Sequence, residues 1–297
     1  METKKLITVN SLSGGKTSSY IAAHYPADYN VFALVRTNDK SCLFPDKKIR
    51  QIVSDKIGKE FIGTLEMDTI IYTMLDLEQY IGKEIHWVSG KTFDEIIERK
   101  YKDGTIKTYL PNVTMRFCTT EMKLQPIFNW WKKEINEVCE FRIGFRANEM
   151  KRAKTMIDKT NKDGNSTFKA IVGKSKTGNR NKWADVAWQK PQFPLIKDGI
   201  FKDNVEKYWK DKNVRFARFN NCVGCFHRNI VNLKHLSNIS ENKFKWFAKQ
   251  DEKSAVDYGG RTWKMGLTYN QIKKLFNQTS LFEDDDFNEC DTGYCGL

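Results

Sequence analysis

The sequence predicts an α/β protein, a parallel sheet with helices on both faces. Three observations carry that expectation. Short, nearly unbroken apolar runs at residues 5–9 and 31–35 read as strands buried on both sides, as parallel strands usually are. Helix-like stretches follow them, so strand and helix alternate along the chain. The first run also passes straight into Ser13-Gly14-Gly15-Lys16-Thr17-Ser18 and then a helix-like segment. That places a strand, a phosphate-sized loop and a helix N-terminus in one line.

Lys5 to Val9 is the first expected strand, and Thr17 to His24 is the helix it feeds. Val31 to Val35 is the second strand. Pro45 opens a helix to about Ile57, because proline is tolerated in a first helical turn. Asp68 to Gln79 is a further helix, Glu84 to Val88 a strand and Phe93 to Lys100 a helix. Lys123 to Asn136 is a helix, and Glu140 to Phe145 another strand. Lys151 to Lys182, rich in Gly, Asn, Ser and Lys, reads as a flexible loop. Phe193-Pro194-Leu195-Ile196 precedes a helix near Lys202 to Lys210. From about Phe219 the chain offers a short cysteine-bearing loop, more helices and an acidic tail at Glu283 to Asp286. The expected division is an α/β domain over residues 1–218 and a smaller Cys-bearing helical region over 219–297.

A chain of 297 residues is long enough for a sizeable core. No apolar run approaches the ~20 residues of a membrane span, so no membrane partner is expected. The N-terminus enters a strand directly, without the pattern of a signal peptide. Seven cysteines, an odd number, suit thiols, metal ligands or a redox role better than a disulfide framework, and point to the cytoplasm. The net charge is +13, and residues 151–182 hold ten Lys/Arg against two Asp. That stretch would contact nucleic acid, close over a nucleotide, or form an ordinary solvated lysine-rich surface. Trp130, Trp131 and Trp183 read as core aromatics rather than a base-stacking platform.

The chemistry concentrates in four places. In the loop, Gly14 and Gly15 let backbone N–H groups face an anion, and Lys16 with the hydroxyls of Ser13, Thr17 and Ser18 adds charge and donors. The same string also serves as a plain strand-to-helix turn, and its spacing is not that of a Walker A loop. Arg116, Cys118 and Lys123 form the second place, where cations and a helix start would favour a thiolate. A small buried thiol is the alternative. In the third, Arg146 and Arg152 have the fork geometry for phosphate or sulfate, with Glu149 to orient one of them, or else make an exposed ion-pair cluster. The fourth is Cys222-Val223-Gly224-Cys225, a knuckle that suits a metal, a redox dithiol or two inert thiols. Cys118, Cys290, Cys295 and His227 are further ligand candidates.

Taken in order, these segments resemble the phosphoadenosine phosphosulfate (PAPS) reductase-like family of the PP-loop, or adenine-nucleotide alpha-hydrolase, superfamily. The loop resembles the PP-loop Ser-Gly-Gly-x-Asp-Ser. Arg116 to Pro126 fits Arg-x-Cys-(Cys/Thr)-x-x-x-Lys-x-x-Pro, and Gly144 to Arg152 fits Gly-(Ile/Phe)-Arg-x-x-Glu-x-x-Arg. Pro194-Leu195 with Asp203 to Trp209 resembles a later segment, so the likeness spans roughly Leu6 to Cys225. It implies a Rossmann-like core that binds ATP or an adenylyl-sulfate nucleotide at Ser13, Gly14, Gly15, Lys16, Thr17 and Ser18, with Arg146, Glu149 and Arg152 at its anionic end and magnesium as companion ion. Thr17 stands where the family loop keeps Asp, so binding is a firmer expectation than pyrophosphate cleavage.

The resemblance leaves three functional expectations. The first is reduction or transfer of sulfur from an adenylyl-sulfate nucleotide, with a thioredoxin-like reductant. Its catalytic residues would be Cys295, whose Cys-Gly-Leu tail resembles the one bearing the reductase nucleophile, together with Cys118 and Lys16. The second is ATP-dependent adenylation and thiolation of a nucleic-acid base, using an iron–sulfur cluster on Cys118, Cys222 and Cys225. The third is a non-catalytic nucleotide- and metal-binding protein. Cys222, Cys225, Cys290 and Cys295 alternatively suit a closed four-sulfur site for zinc or a cluster.

Overall fold

The computed structural model describes residues 5–175, 178–259 and 262–275. Its centre is a six-stranded sheet in the order β3-β2-β1-β6-β8-β7. The strands are β1 (Thr8–Leu12), β2 (Tyr29–Ala33), β3 (His86–Val88), β6 (Cys139–Arg142), β7 (Ser166–Lys174) and β8 (Asn181–Gln192). All neighbours are parallel except the edge pair β7–β8. A separate two-stranded ribbon pairs β4 (Glu98–Lys100) with β5 (Ile106–Thr108).

Alternation along the central strands shows why helices cover both faces. Phe32 and Leu34 join one apolar cluster, with Ala22 of α1 (Lys16–His24), Val53 of α2 (Lys47–Ile57), Met74 of α3 (Thr69–Ile81) and Trp209 of α9 (Lys202–Trp209). Val31 and Ala33 point the other way, toward Phe128 and Trp131 of α6 (Gln125–Glu134). Burial on both faces is what the apolar runs demanded. The chain lays β2 and β3 on one side of β1 and then returns to place β6 on the other. That reversal is a topological switch point, where the crevice above the strand ends is open to a ligand.

Several boundaries differ from the sequence expectation, each for a local reason. β1 begins at Thr8 rather than Lys5, where the Thr8 N–H and hydroxyl both donate to Asp28 Oδ2, at 2.7 and 2.8 Å. α2 starts after Asp46, whose carboxylate accepts from the Lys48 and Ile49 N–H groups. α4 (Phe93–Ile97) opens with a Thr92/Glu95 capping box but stops at Ile97. The expected helix to Lys100 turns into β4, because an Asp103-Gly104 turn with Gly104 at φ +85° folds β5 back onto it. The short α5 (Phe117–Thr119) and a wide turn over Thr120–Leu124 precede α6.

The largest correction is the basic stretch. Residues 151–182 are not a flexible loop: they form most of α7 (Met150–Ile157), all of β7 and the start of β8. Phe168 and Ala170, like Val186 and Trp188, sit two positions apart and share a cluster with Phe128 and Phe141. The period-2 pattern lies within a composition that reads as loop. After the single turn α8 (Pro194–Lys197) and α9, the chain forms α10 (Ile230–Ile239), α11 (Glu241–Tyr258) and α12 (Tyr269–Lys274). Their core residues Leu233, Phe247 and Ile272 share one cluster with Val35, Leu65, Phe93 and Met122. No helix among the described residues is long and apolar enough to cross a membrane.

Candidate functional site

The loop after β1 lies at the switch point. Gly14 adopts φ +80°, and a Cβ there would sit 2.5 Å from Ile70 Cγ2 of α3, so both backbone and packing require glycine. Gly15 caps α1, whose first turn holds no acidic residue. The first-turn N–H groups of a helix have no intrahelical acceptors and carry the positive end of its dipole. Ser18 fixes the loop's shape: its hydroxyl accepts from the Ser13 N–H at 3.2 Å and donates to the Gly15 carbonyl at 3.1 Å. Ser13, Thr17 and Ser18 are all buried. Ser19 Oγ, one residue on, is buried without a hydrogen-bond partner.

Lys16 is the loop's exposed charge, and it is already engaged by Glu206 of α9. Trp209 Nε1, on the same helix, donates to the Lys16 carbonyl at 2.9 Å. Nothing in the sequence signals the Glu206 contact, because 190 positions separate the partners.

The segment leaving β6 meets this loop. A Cβ on Gly144 would sit 3.4 Å from both Ser18 N and Thr17 Cγ2, so the glycine permits close approach of β6 to α1. Two residues on, Arg146 is 3% exposed. Glu149 Oε2 accepts from the Arg146 backbone N–H at 2.9 Å and from its Nε at 3.2 Å, and the other carboxylate oxygen holds Arg152. Glu149 therefore braces both arginines rather than one. The Arg152 guanidinium also stacks 4.4 Å over the Phe145 ring.

A second site gathers three of the candidate cysteines. Cys118, Cys222 and Cys225 line one pocket of about 510 Å³, together with Arg116, Lys123 and His227. Phe93, Phe226, Phe247 and Trp263 add aromatic rings to its walls. The Cys222–Cys225 turn is held from two sides. Val223 N–H donates to Leu65 O at 2.8 Å, and buried Arg228 donates to the Cys222 carbonyl at 3.2 Å. A Cβ on Gly224 would collide with the Phe247 ring at 2.2 Å, so only glycine fits between the cysteines.

Of the two readings of Cys118, a thiolate or a small buried thiol, burial favours the second. It pushes the thiol up to about 11, although Arg116 acts in the opposite direction. Cys222 is driven well above the usual thiol range, by burial first and by Glu66 second. His227 falls to about 4 because burial, then Arg116 and Lys264, disfavour its cation. Burial also works against the Lys123 ammonium, but Glu66, hydrogen-bonded at 3.1 Å, more than offsets it and raises the pKa. Burial therefore works against Cys118 and Cys222 as free thiolate nucleophiles.

Arg152 lies within electrostatic reach of Arg116, which in turn acts on Cys118 and Cys225. The arginine pair beside the loop and the thiol pocket are therefore neighbours.

No family model, curated protein or solved structure matches this chain.

By residue type alone, three thiols with a cationic surround match an anionic metal–sulfur group. Among the described residues, no group of three or more His, Cys, Asp and Glu side chains is disposed to hold a metal ion. Cys290 and Cys295, the remaining candidates, lie outside the described residues. Sequence reasoning missed Glu66, Glu206 and Arg228. A buried Glu or Arg has no local signature, since its partner is set by tertiary packing.

Proposed function

We propose that this chain is an adenine-nucleotide-binding enzyme of sulfur chemistry, of the PAPS reductase-like kind within the PP-loop superfamily. The observation that most supports this reading is the meeting of the Ser13–Ser18 loop with the Gly144–Arg152 segment at the switch point of the sheet. The N-terminus of α1 and Lys16 would receive the nucleotide phosphates. Arg146 and Arg152, braced by Glu149, would take the sulfate or outer phosphate. Magnesium would accompany ATP, and Thr17 offers it no carboxylate.

In the reductive reaction, a thiol attacks the sulfur of the adenylyl sulfate. The sulfur–oxygen bond to the nucleotide phosphate breaks, and the nucleotide leaves with the electron pair. A thiol of a thioredoxin-like partner then attacks the enzyme sulfur, so that sulfite departs and a disulfide remains. Cys295 is the nucleophile that the sequence resemblance suggests. The neighbouring thiol pocket favours one second reading, ATP-dependent thiolation of a nucleic-acid base. Cys118, Cys222 and Cys225 would hold an iron–sulfur cluster there, supplying sulfide; zinc would instead brace the turn.

Incubation with labelled ATP and, separately, with PAPS tests the proposal. Sulfite release from PAPS that requires Cys295 supports the reductive reading. Pyrophosphate release from ATP, stimulated by RNA or DNA, sinks it in favour of thiolation. Absence of nucleotide binding by calorimetry sinks both.

A further inference from the structure

The hairpin of β7 and β8 has a feature that the nucleotide site does not use. β8 meets β6 only at Gln189–Gln192, and from Asn181 to Trp188 its partner in the sheet is β7 alone. The two strands therefore leave the sheet as a two-stranded arm. Near the sheet, one face of the arm is core: Phe168, Ala170, Val186 and Trp188 pack into the α6 side.

The opposite face is different. Ile171 pairs with Trp183 and Lys169 with Asp185, so Lys169, Ile171 and Trp183 share the face turned away from the core. A register shift between Ile171 and Gly173 carries Lys174, opposite Asn181, onto that same face. Trp183 is 55% exposed and Ile171 42% exposed. The expectation that Trp130, Trp131 and Trp183 are all core is right for the first two and wrong for Trp183, because the arm outruns the core that would bury it. Lys169, Lys174 and Arg180 are exposed around it, Lys182, opposite Gly173, is exposed on the other face, and the one acidic residue on Trp183's face of the arm is Asp185, opposite Lys169.

We propose that this arm binds single-stranded nucleic acid, with Trp183 stacking on a base and Lys169, Lys174 and Arg180 contacting the backbone phosphates. An exposed tryptophan on a rigid strand is costly in water and has a flat face that any base can cover. Cations spaced along the arm match a charged backbone better than a single anion. A duplex hides its bases and leaves Trp183 without a partner. The inference is independent of the nucleotide reading, since none of these residues belongs to the loop or to the Gly144–Arg152 segment.

Fluorescence anisotropy of the full chain with labelled 12-nucleotide mixed-sequence RNA and DNA tests it, with ATP binding and thermal melting measured in parallel. Wild type should bind single strands more tightly than the matching duplex. W183A should weaken single-strand binding about tenfold with its salt dependence unchanged. Replacing Lys169, Lys174 and Arg180 together by Gln should lower the slope of log affinity against log salt by about two. Both variants should melt and bind ATP as wild type does. Equal affinity for duplex, indifference to W183A, or Trp183-dependent binding to anionic phospholipid vesicles in place of oligonucleotides would each overturn the proposal. Loss of ATP binding in wild type would instead strike the nucleotide reading and leave this one standing.

Discussion

Glu206 of α9 holds the ammonium of Lys16 beside the glycine loop, and Trp209 of the same helix donates to the Lys16 carbonyl at 2.9 Å. The lysine that would meet a phosphate is thus already neutralised by a carboxylate. Both side chains are more than a third exposed, so the pair is weak and exchangeable. A phosphate must displace Glu206 or bind beside it. Replacing Glu206 by Gln should tighten ATP binding about two- to fivefold, the range expected on releasing an exposed ion pair. Calorimetry against wild type reads the change, and unchanged or weaker binding would show that Glu206 does not compete for Lys16.

Much of this arrangement is legible in the sequence. The apolar runs 5–9 and 31–35 place β1 and β2 within a few residues, and Gly14 and Gly15 mark the loop between strand and helix. Cys118, Cys222 and Cys225 are legible as a set by residue type, and the structure brings them to one pocket. What stays hidden depends on packing between distant segments. Sequence alone leaves the thiolate and buried-thiol readings of Cys118 open, because neighbouring cations are visible there while desolvation is not. The β7–β8 arm is hidden by its Gly, Asn and Lys content, although Phe168, Ala170, Val186 and Trp188 keep strand alternation. Glu66 and Lys123 lie 57 positions apart, with no local pattern to join them.

Glu149 is the keystone of the arginine pair. Its carboxylate holds Arg146, whose side chain is 4% exposed, and Arg152 on its other oxygen. Removing the carboxylate takes a counter-charge away from a buried guanidinium. Glu149→Ala should cost about 3 kcal/mol of stability, as breaking a buried pair usually does. Arg152→Ala should cost much less, because Arg152 is more exposed, yet weaken binding of an anionic nucleotide. Urea melts and calorimetry separate the two effects. Equal stability losses in both variants would contradict the assignment of Arg146 as the buried partner.

Gly14 carries two independent demands, a left-handed backbone at φ +80° and a contact 2.5 Å from Ile70 Cγ2. The backbone demand alone costs about 1–2 kcal/mol for an L-residue with a Cβ. Gly14→Ala should therefore lower stability by more than that and also displace the loop from α3. Shortening the neighbour tests the second demand. Combining Gly14→Ala with Ile70→Ala, which removes Cγ2 from the contact, should cost less than the sum of the two single losses if the clash contributes. Simple addition of the two single effects in a double-mutant cycle would leave the backbone as the whole explanation.

Asp251 of α11 supplies a pH dependence whose direction is set by burial. Its carboxylate accepts from the Trp263 N–H at 2.9 Å and the Tyr269 N–H at 2.8 Å, tying the turn before α12 to α11. Burial nevertheless outweighs these donors and raises its pKa from 3.8 to about 6. The folded chain then binds this proton more tightly than the unfolded chain does. The stability it contributes is fully present below about 4, falls as pH rises toward 6, and is flat above that. A shift of this size corresponds to roughly 3 kcal/mol between the two limits. Other carboxylates titrate in the same range, so the comparison must isolate this one. Asp251→Asn keeps the shape, removes the titration and turns an amide N–H₂ toward one of the two backbone donors, lowering stability by a pH-independent amount. Wild type should therefore lead the Asp251→Asn variant by more at pH 4 than at pH 7, in urea melts taken at half-unit steps. A constant gap between the two proteins across that range would mean that Asp251 titrates alike in the folded and unfolded chains.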